Sequence, residues 1–174
     1  MSFETLRAWK QVTPELQGEL VAFWTQHRAI ADPVLAAARA KQAVCLLRDE
    51  EGALCGVSTA VIRVLPRLRQ PLYYFRQFFT ESIRGRKQSI PFYNASCDLL
   101  RDYNASLKTP ESLGVLIELE NPLMARLYER AWVDEAGSVF LGYSPRGHQL
   151  RATYFEGARL LAPAPLGRRR PLPA

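Results

Sequence analysis

The spacing of apolar residues changes several times along the chain, and each change marks an element. After Thr13 and Pro14, the residues Leu16, Leu20, Phe23, Trp24 and His27 recur at helical intervals, with Thr13 placed to cap and Pro14 at the first helical position. An amphipathic helix is predicted there, and His27 is expected to pack beside its apolar stripe. A second, shorter helix is expected over "PVLAAARAK". The period then drops to that of strands. "AVCLLRDEEGALCGVSTAVIRVLP" holds two β-rich runs around the polar turn "DEEG", which reads as an antiparallel hairpin.

A further strand, "LYYFRQFF", follows the break at Pro66, and from Pro91 the helical period returns through Phe92, Ser96, Leu99, Leu100 and Tyr103. "GVLIELE" is the next strand, with Val115, Ile117 and Leu119 on one face and Leu116, Glu118 and Glu120 on the other. Asn121 and Pro122 repeat the cap-plus-proline start and open a helix over "PLMARLYERA", which brings Leu123, Leu127 and Tyr128 towards one side. Two closing strands, "SVFLGY" and "QLRATYF", flank the turn "SPRGH", where His148 is expected to be an exposed hydrogen-bonding residue. The predicted order is β, α, α, β, β, β, α, β, α, β, β. An antiparallel meander with one strand–helix–strand crossover makes a mixed α/β sheet.

Composition sharpens this in three ways. At 174 residues and 48% hydrophobic, the chain fits one domain, expected over residues 1–161. No leader of the secretory kind opens it and no apolar run approaches the roughly 18 residues that cross a bilayer, so a soluble, cytoplasmic protein without a membrane partner is expected. Cys45, Cys55 and Cys97 are odd in number and lack CxxC spacing, so they read as buried thiols and no metal site is expected. The net charge is +6, but Arg168, Arg169 and Arg170 fall in the Pro-rich end, residues 162–174, expected to be a disordered tail. Without them the charge is too small to call for a nucleic-acid partner.

The candidate chemistry lies in "FFTESIRGRKQSIPFY", where a strand hands over to a helix through three cations. A helix amino end carries unpaired N–H groups and a partial positive charge, which suits a phosphate. Arg84, Arg86 and Lys87 add to that attraction, and a pyrophosphate is the natural guest; a solvated basic loop is the bland alternative. The stretch has neither the glycine–lysine pattern of nucleotide hydrolases nor the three spaced glycines of dinucleotide-binding folds.

With these elements, the hairpin "DEEGALCGV", the passage "FFTESIRGRKQS" and the segment "ENPLMARLYERAW" together resemble the GNAT superfamily of acyl-CoA-dependent N-acyltransferases, over roughly residues 5–157. The resemblance implies a mostly antiparallel sheet splayed near its middle and flanked by about four helices. It implies acetyl-CoA or another acyl-CoA as co-substrate and an amine of a small molecule or protein as acceptor. Its pyrophosphate loop, Arg/Gln-x-x-Gly-x-Gly/Ala, maps onto Arg84, Gly85, Arg86, Lys87, Gln88 and Ser89. Lys87 stands at the first patterned glycine and Ser89 at the second small residue. Either the loop keeps its turn and Lys87 reaches a phosphate, or cofactor binding is lost and the chain is a binding or regulatory module.

By the same resemblance, the main chain of Phe78, Phe79 and Thr80 pairs with the pantetheine arm and the Asn121 side chain contacts the cofactor. Tyr128 takes the place of the tyrosine that protonates the leaving thiolate, a job for which a phenol is suited. Arg76 and Gln77 stand where many relatives carry a carboxylate base, which leaves Glu118, with Glu120 beside it, as the candidate base acting through water. Relatives commonly pair through their last strands, so a homodimer is compatible with the resemblance.

Overall fold

The computed structural model describes residues 2–83 and 85–165. Eight strands form one sheet: β1 Phe3–Arg7, β2 Ala43–Asp49, β3 Leu54–Val64, β4 Pro71–Phe79, β5 Gly114–Leu119, β6 Trp132–Val133, β7 Ser138–Tyr143 and β8 Gln149–Tyr154. Four helices accompany them, α1 Pro14–Gln26, α2 Pro33–Ala40, α3 Ser89–Ser106 and α4 Pro122–Leu127. The order across the sheet is β1-β2-β3-β4-β5-β8-β7-β6, and every neighbouring pair is antiparallel except β4 and β5. The predicted element order holds, with the two-residue β6 added.

Three helices start by the same device. Thr13, Asp32 and Asn121 sit in extended backbone, accept a hydrogen bond from an amide of the first turn, and are followed by proline. α1 and α2 bury Leu20, Phe23, Trp24, Ala36 and Ala40 against Leu46 and Val57 on one face of β1–β3. His27 ends α1 with its ring edge-on to Phe23, 4.9 Å between centroids, the packing role expected of it. On the opposite face, α3 lays Phe92, Tyr93, Cys97 and Leu100 over Val44, Tyr73, Phe75 and Val115. All three cysteines are buried and free. A third apolar cluster, Leu72, Tyr74, Leu116, Leu150 and Ala152, lies on the α1–α2 face beyond the reach of those helices, with Leu65, Leu68 and Leu161 packed against it.

Two expectations are corrected. α4 stops at Leu127 instead of running on to Ala131: the Ala125 carbonyl, which the next turn would use, accepts from the Gln149 side chain, and the buried Arg151 guanidinium gathers the carbonyls of Tyr128, Arg130 and Ala131. Those bonds hold the segment after α4 to β8. Leu123 and Leu127, expected to bury a helix face, are largely exposed. The chain end is also held further than expected: Ala164 exchanges main-chain and side-chain hydrogen bonds with Arg69, and Leu161 does so with Gln70. The remainder of the expected tail, including Arg168, Arg169 and Arg170, lies outside the described residues. Among the described residues, no helix is long and apolar enough to cross a membrane.

β5 begins where two backbones nearly touch. A Cβ placed on Gly114 would sit 2.2 Å from the Thr153 carbonyl oxygen and 2.8 Å from the Tyr154 Cα, neither of which can move without breaking the β5–β8 ladder. Gly114→Ala is therefore expected to destabilise the fold by about 1–3 kcal/mol, the usual cost of overpacking. Thermal denaturation followed by circular dichroism would register this as a lower midpoint.

Candidate active site

β4 and β5 are the only parallel pair in the sheet, and they stay together briefly. Tyr73, Tyr74 and Phe75 face Val115, Leu116 and Ile117, after which pairing stops although β4 continues to Phe79 and β5 to Leu119. Each strand remains paired on its other side, β4 with β3 as far as Phe79 opposite Gly56, and β5 with β8 along its whole length. A fork therefore opens beyond Phe75, one of whose walls is the unpaired edge of β4 from Arg76 to Phe79. Every second peptide along such an edge points its N–H and C=O away from the paired neighbour and into the opening. Phe78 and Phe79 stand on this edge. Thr80 does not offer what was expected of it, since its amide donates to the Cys55 carbonyl and its own carbonyl accepts from Ile83.

At the wide end of the fork the chain makes a short 3-10 turn, Glu81–Ile83, and enters α3 through the cationic loop. Arg84 lies outside the described residues. Gly85 and Lys87 both adopt left-handed backbone, at φ 79° and 56°. Lys87 thus holds the conformation that a glycine would take freely, its side chain exposed. Arg86 is exposed as well, and its amide is used within the turn, donating to the Ile83 carbonyl. Gln88 precedes the helix without capping it through its side chain, so the leading amides of α3 are left to another acceptor. The Ser89 hydroxyl accepts a 2.7 Å hydrogen bond from the Gln77 amide, which ties the start of α3 to β4.

The two candidate catalytic side chains stand on opposite faces of β5. Tyr128 is the residue that ends α4, and it packs, together with Ile117, against the α3-side core. Its carbonyl is fixed by Arg151 at 3.1 Å. Burial, and then the nearby Glu135 carboxylate, raise the phenol above its ordinary pKa, so it holds its proton at neutral pH. Asn121 caps α4 by accepting from the Leu123 amide, and its side chain is thereby engaged in the fold.

Glu118 lies on the face of α1 and α2, in a network that the sequence did not reveal. One carboxylate oxygen accepts from the Tyr74 hydroxyl at 2.6 Å; the other is 3.0 Å from Nδ1 of His148 and 3.1 Å from the Arg146 guanidinium. Burial alone would raise its pKa, but the hydrogen bonds from Tyr74, Ser144, Arg146 and His148 outweigh it and bring the group down to about 2. A carboxylate so satisfied is a weak proton acceptor. Its effect is to orient His148, which has the hydrogen-bonding role expected of it but is half-buried in the site instead of exposed. Glu120 is exposed and paired with the same Arg146. Glu118, Glu120 and His148 lie close enough to suggest a metal cluster, but Arg146 already supplies the positive charge there.

The same face carries further cations. Tyr74, Arg76 and Phe78 alternate towards it along β4, and Arg63 does so from β3. The guanidinium carbons of Arg76 and Arg63 lie 4.3 and 4.8 Å from the Tyr74 ring centroid. Alternation along β4 was visible in the sequence, but the partnership with Arg63 and Glu118 depends on register. A cavity of about 650 Å³ lies elsewhere: Phe23, His27, Cys55, Phe78 and Thr80 are among its lining residues, and no residue of β5, α4 or β8 is.

No protein-family model matches the chain, and no curated protein matches it in sequence. Solved structures do match in shape. A GNAT-family acetyltransferase from Streptococcus pneumoniae superimposes with a TM-score of 0.60 at 12% identity, over 88% of this chain and 99% of the other. A GNAT superfamily phosphinothricin acetyltransferase from Sinorhizobium meliloti, in complex with acetyl-CoA, gives 0.53 at 13% identity, over 87% and 86%. Spermidine N-acetyltransferase from Vibrio cholerae, in complex with CoA and spermine, gives 0.52 at 11% identity, over 86% and 92%. At such identities the likeness is one of architecture, and it bears out the fold read from the sequence: the chain has the GNAT fold.

Proposed function

We propose that the protein is an N-acyltransferase that moves an acetyl or other acyl group from coenzyme A directly to an amine. The observation that carries this reading is the fork: three residue pairs join β4 to β5, and beyond them an unpaired strand edge runs up to a cationic loop and a helix start that the Gln88 side chain does not cap. A pantetheine arm along Phe78 and Phe79 would complete the missing strand partner, and its pyrophosphate would meet the first amides of α3, with Arg86 and Lys87 beside them. The retained left-handed turn at Lys87 favours this over the alternative of a non-binding module.

Reaction across the fork needs a proton removed on one side and supplied on the other. The amine nitrogen attacks the thioester carbonyl carbon, forming a C–N bond as the C–S bond breaks, and the sulfur leaves with the bonding electrons. His148, held through Nδ1 by Glu118, would take the proton that the amine sheds, directly or through water; histidine is the residue most often recruited for such transfers. Tyr128, from the opposite face of β5, would give its proton to the departing sulfur. Opposite placement suits the chemistry, because acceptor and leaving group lie on opposite sides of the reacting carbon.

Calorimetry with acetyl-CoA and a thiol-release assay with an amine panel test the reading; no binding heat would overturn it. Tyr128→Phe is expected to lower kcat by about a hundredfold, the smaller end of general-acid effects, with acetyl-CoA affinity unchanged. Lys87→Gly should separate two roles. It relieves a left-handed residue and so raises stability by up to about 1 kcal/mol, while removing a cation and weakening acetyl-CoA several-fold by calorimetry. Glu118 gives a pH signature. Its folded pKa of about 2 lies below the ordinary 4.5, so its ionised form favours the fold above 4.5, and that contribution is lost as pH falls towards 2. Midpoints measured through this window should fall for the native chain and fall less for Glu118→Gln.

A further inference from the structure

We infer that the acceptor is an anionic amine: a small molecule carrying a carboxylate or phosphoryl oxyanion within a few bonds of the reacting nitrogen. This rests on the acyltransferase reading and names the substrate class of the same site. The ground is the group of arginines on the α1–α2 face of the fork. Arg63 and Arg76 both approach the ring of Tyr74, whose hydroxyl is bonded to Glu118. Arg39 reaches the same place from α2, half-buried, and burial followed by repulsion from Arg76 lowers its hold on its proton.

None of these three guanidiniums donates a hydrogen bond to a protein acceptor or lies within ion-pair distance of a carboxylate among the described residues. The contrast is with Arg48, Arg101, Arg146 and Arg151, all of which do one or both. Two carboxylates share the face, Glu118 and Glu120, and Arg146 already pairs with both. With Arg146 counted, four arginines stand against two carboxylates, and the face keeps two positive charges in excess.

Arg39 and Arg76 are half-buried and Arg63 is exposed, and stacking on one aromatic ring only partly replaces the water that the half-buried pair gives up. An oxyanion would satisfy their planar donor forks, since guanidinium matches carboxylate and phosphoryl geometry in pairs of parallel bonds. Arg76 is also the first β4 residue past the last β4–β5 pair. An anion held there would leave the amine of the same small molecule within reach of His148 and the thioester. A polyamine would meet repulsion from the same residues.

The test uses the full chain, alone and loaded with CoA, titrated calorimetrically with glutamate, aspartate, 2-aminoethylphosphonate and spermidine. Binding of one or more anionic amines in preference to spermidine is expected, and the carboxylate and phosphonate arms identify which oxyanion is taken. Arg76→Gln and Arg39→Gln should each weaken that binding about tenfold, with Arg76→Lys recovering part of the loss and acetyl-CoA affinity unchanged in all three. In turnover, the Gln variants should raise KM for the anionic amine more than they lower kcat. Preference for spermidine, absence of binding by every anionic amine, or affinities indifferent to Arg76 and Arg39 would each overturn the inference. Failure to bind acetyl-CoA would instead strike the acyltransferase reading, and titration of the chain alone would still decide the anion site.

Discussion

The geometry of this protein depends on how little β4 and β5 share. Three residue pairs connect two half-sheets, β1 to β4 and β5 to β8, each laddered from strand to strand with irregularities between β2 and β3 and between β7 and β8. β5 is held to the distal half at both faces: on one, the β7–β8 turn grips Glu118 through Arg146 and His148, although the same carboxylate also bonds the Tyr74 hydroxyl of β4; on the other, Arg151 ties the end of α4 to β8. At its base, the close contact of Gly114 with Thr153 and Tyr154 anchors β5 to β8. Once β5 commits to β8, the right-handed twist of the sheet carries its far end off β4. The opening is thus a product of which partner wins, and its walls are unspent backbone.

Side-chain alternation then assigns the chemistry. Along β5, Ile117 and Glu118 necessarily face opposite ways, so the strand separates the face carrying Glu118 and His148 from the face against which Tyr128 packs. Along β4, Gln77 turns to the start of α3 while Arg76 turns to the arginine group. The helices cover the α1–α2 face as far as β3 and Phe78 of β4 and leave the Leu72, Tyr74, Leu116 and Leu150 part of that face to other segments.

Much of this was legible in the order of residues. The "DEEG" hairpin, the cap-plus-proline helix starts at Thr13 and Asn121 and the alternation of "GVLIELE" are local signals, and each produced its element. What failed to show was decided by residues distant in sequence. α4 ends early where Gln149 and Arg151, some twenty residues on, take up the carbonyls of Ala125, Tyr128, Arg130 and Ala131; nothing within "PLMARLYERA" forbids another turn. Thr80 was lost to a carbonyl across the hairpin. His148 read as a turn residue because its partner, Glu118, lies thirty positions earlier. Lys87 could be flagged as standing in a glycine's place, but whether it would accept a glycine's backbone was a question only the fold could answer.

Arg151 has one more implication. Its charge is almost wholly enclosed, and no carboxylate neutralises it; carbonyl dipoles from the end of α4 and the following loop, with Ser138, do so instead. Such an arrangement solders α4 to the distal half-sheet and leaves it no attachment of comparable strength to the proximal one. If the gap between the halves breathes as a cofactor threads in or leaves, Tyr128 travels with β5 as cargo. The position of its hydroxyl relative to β5 would then be insensitive to the width of the gap.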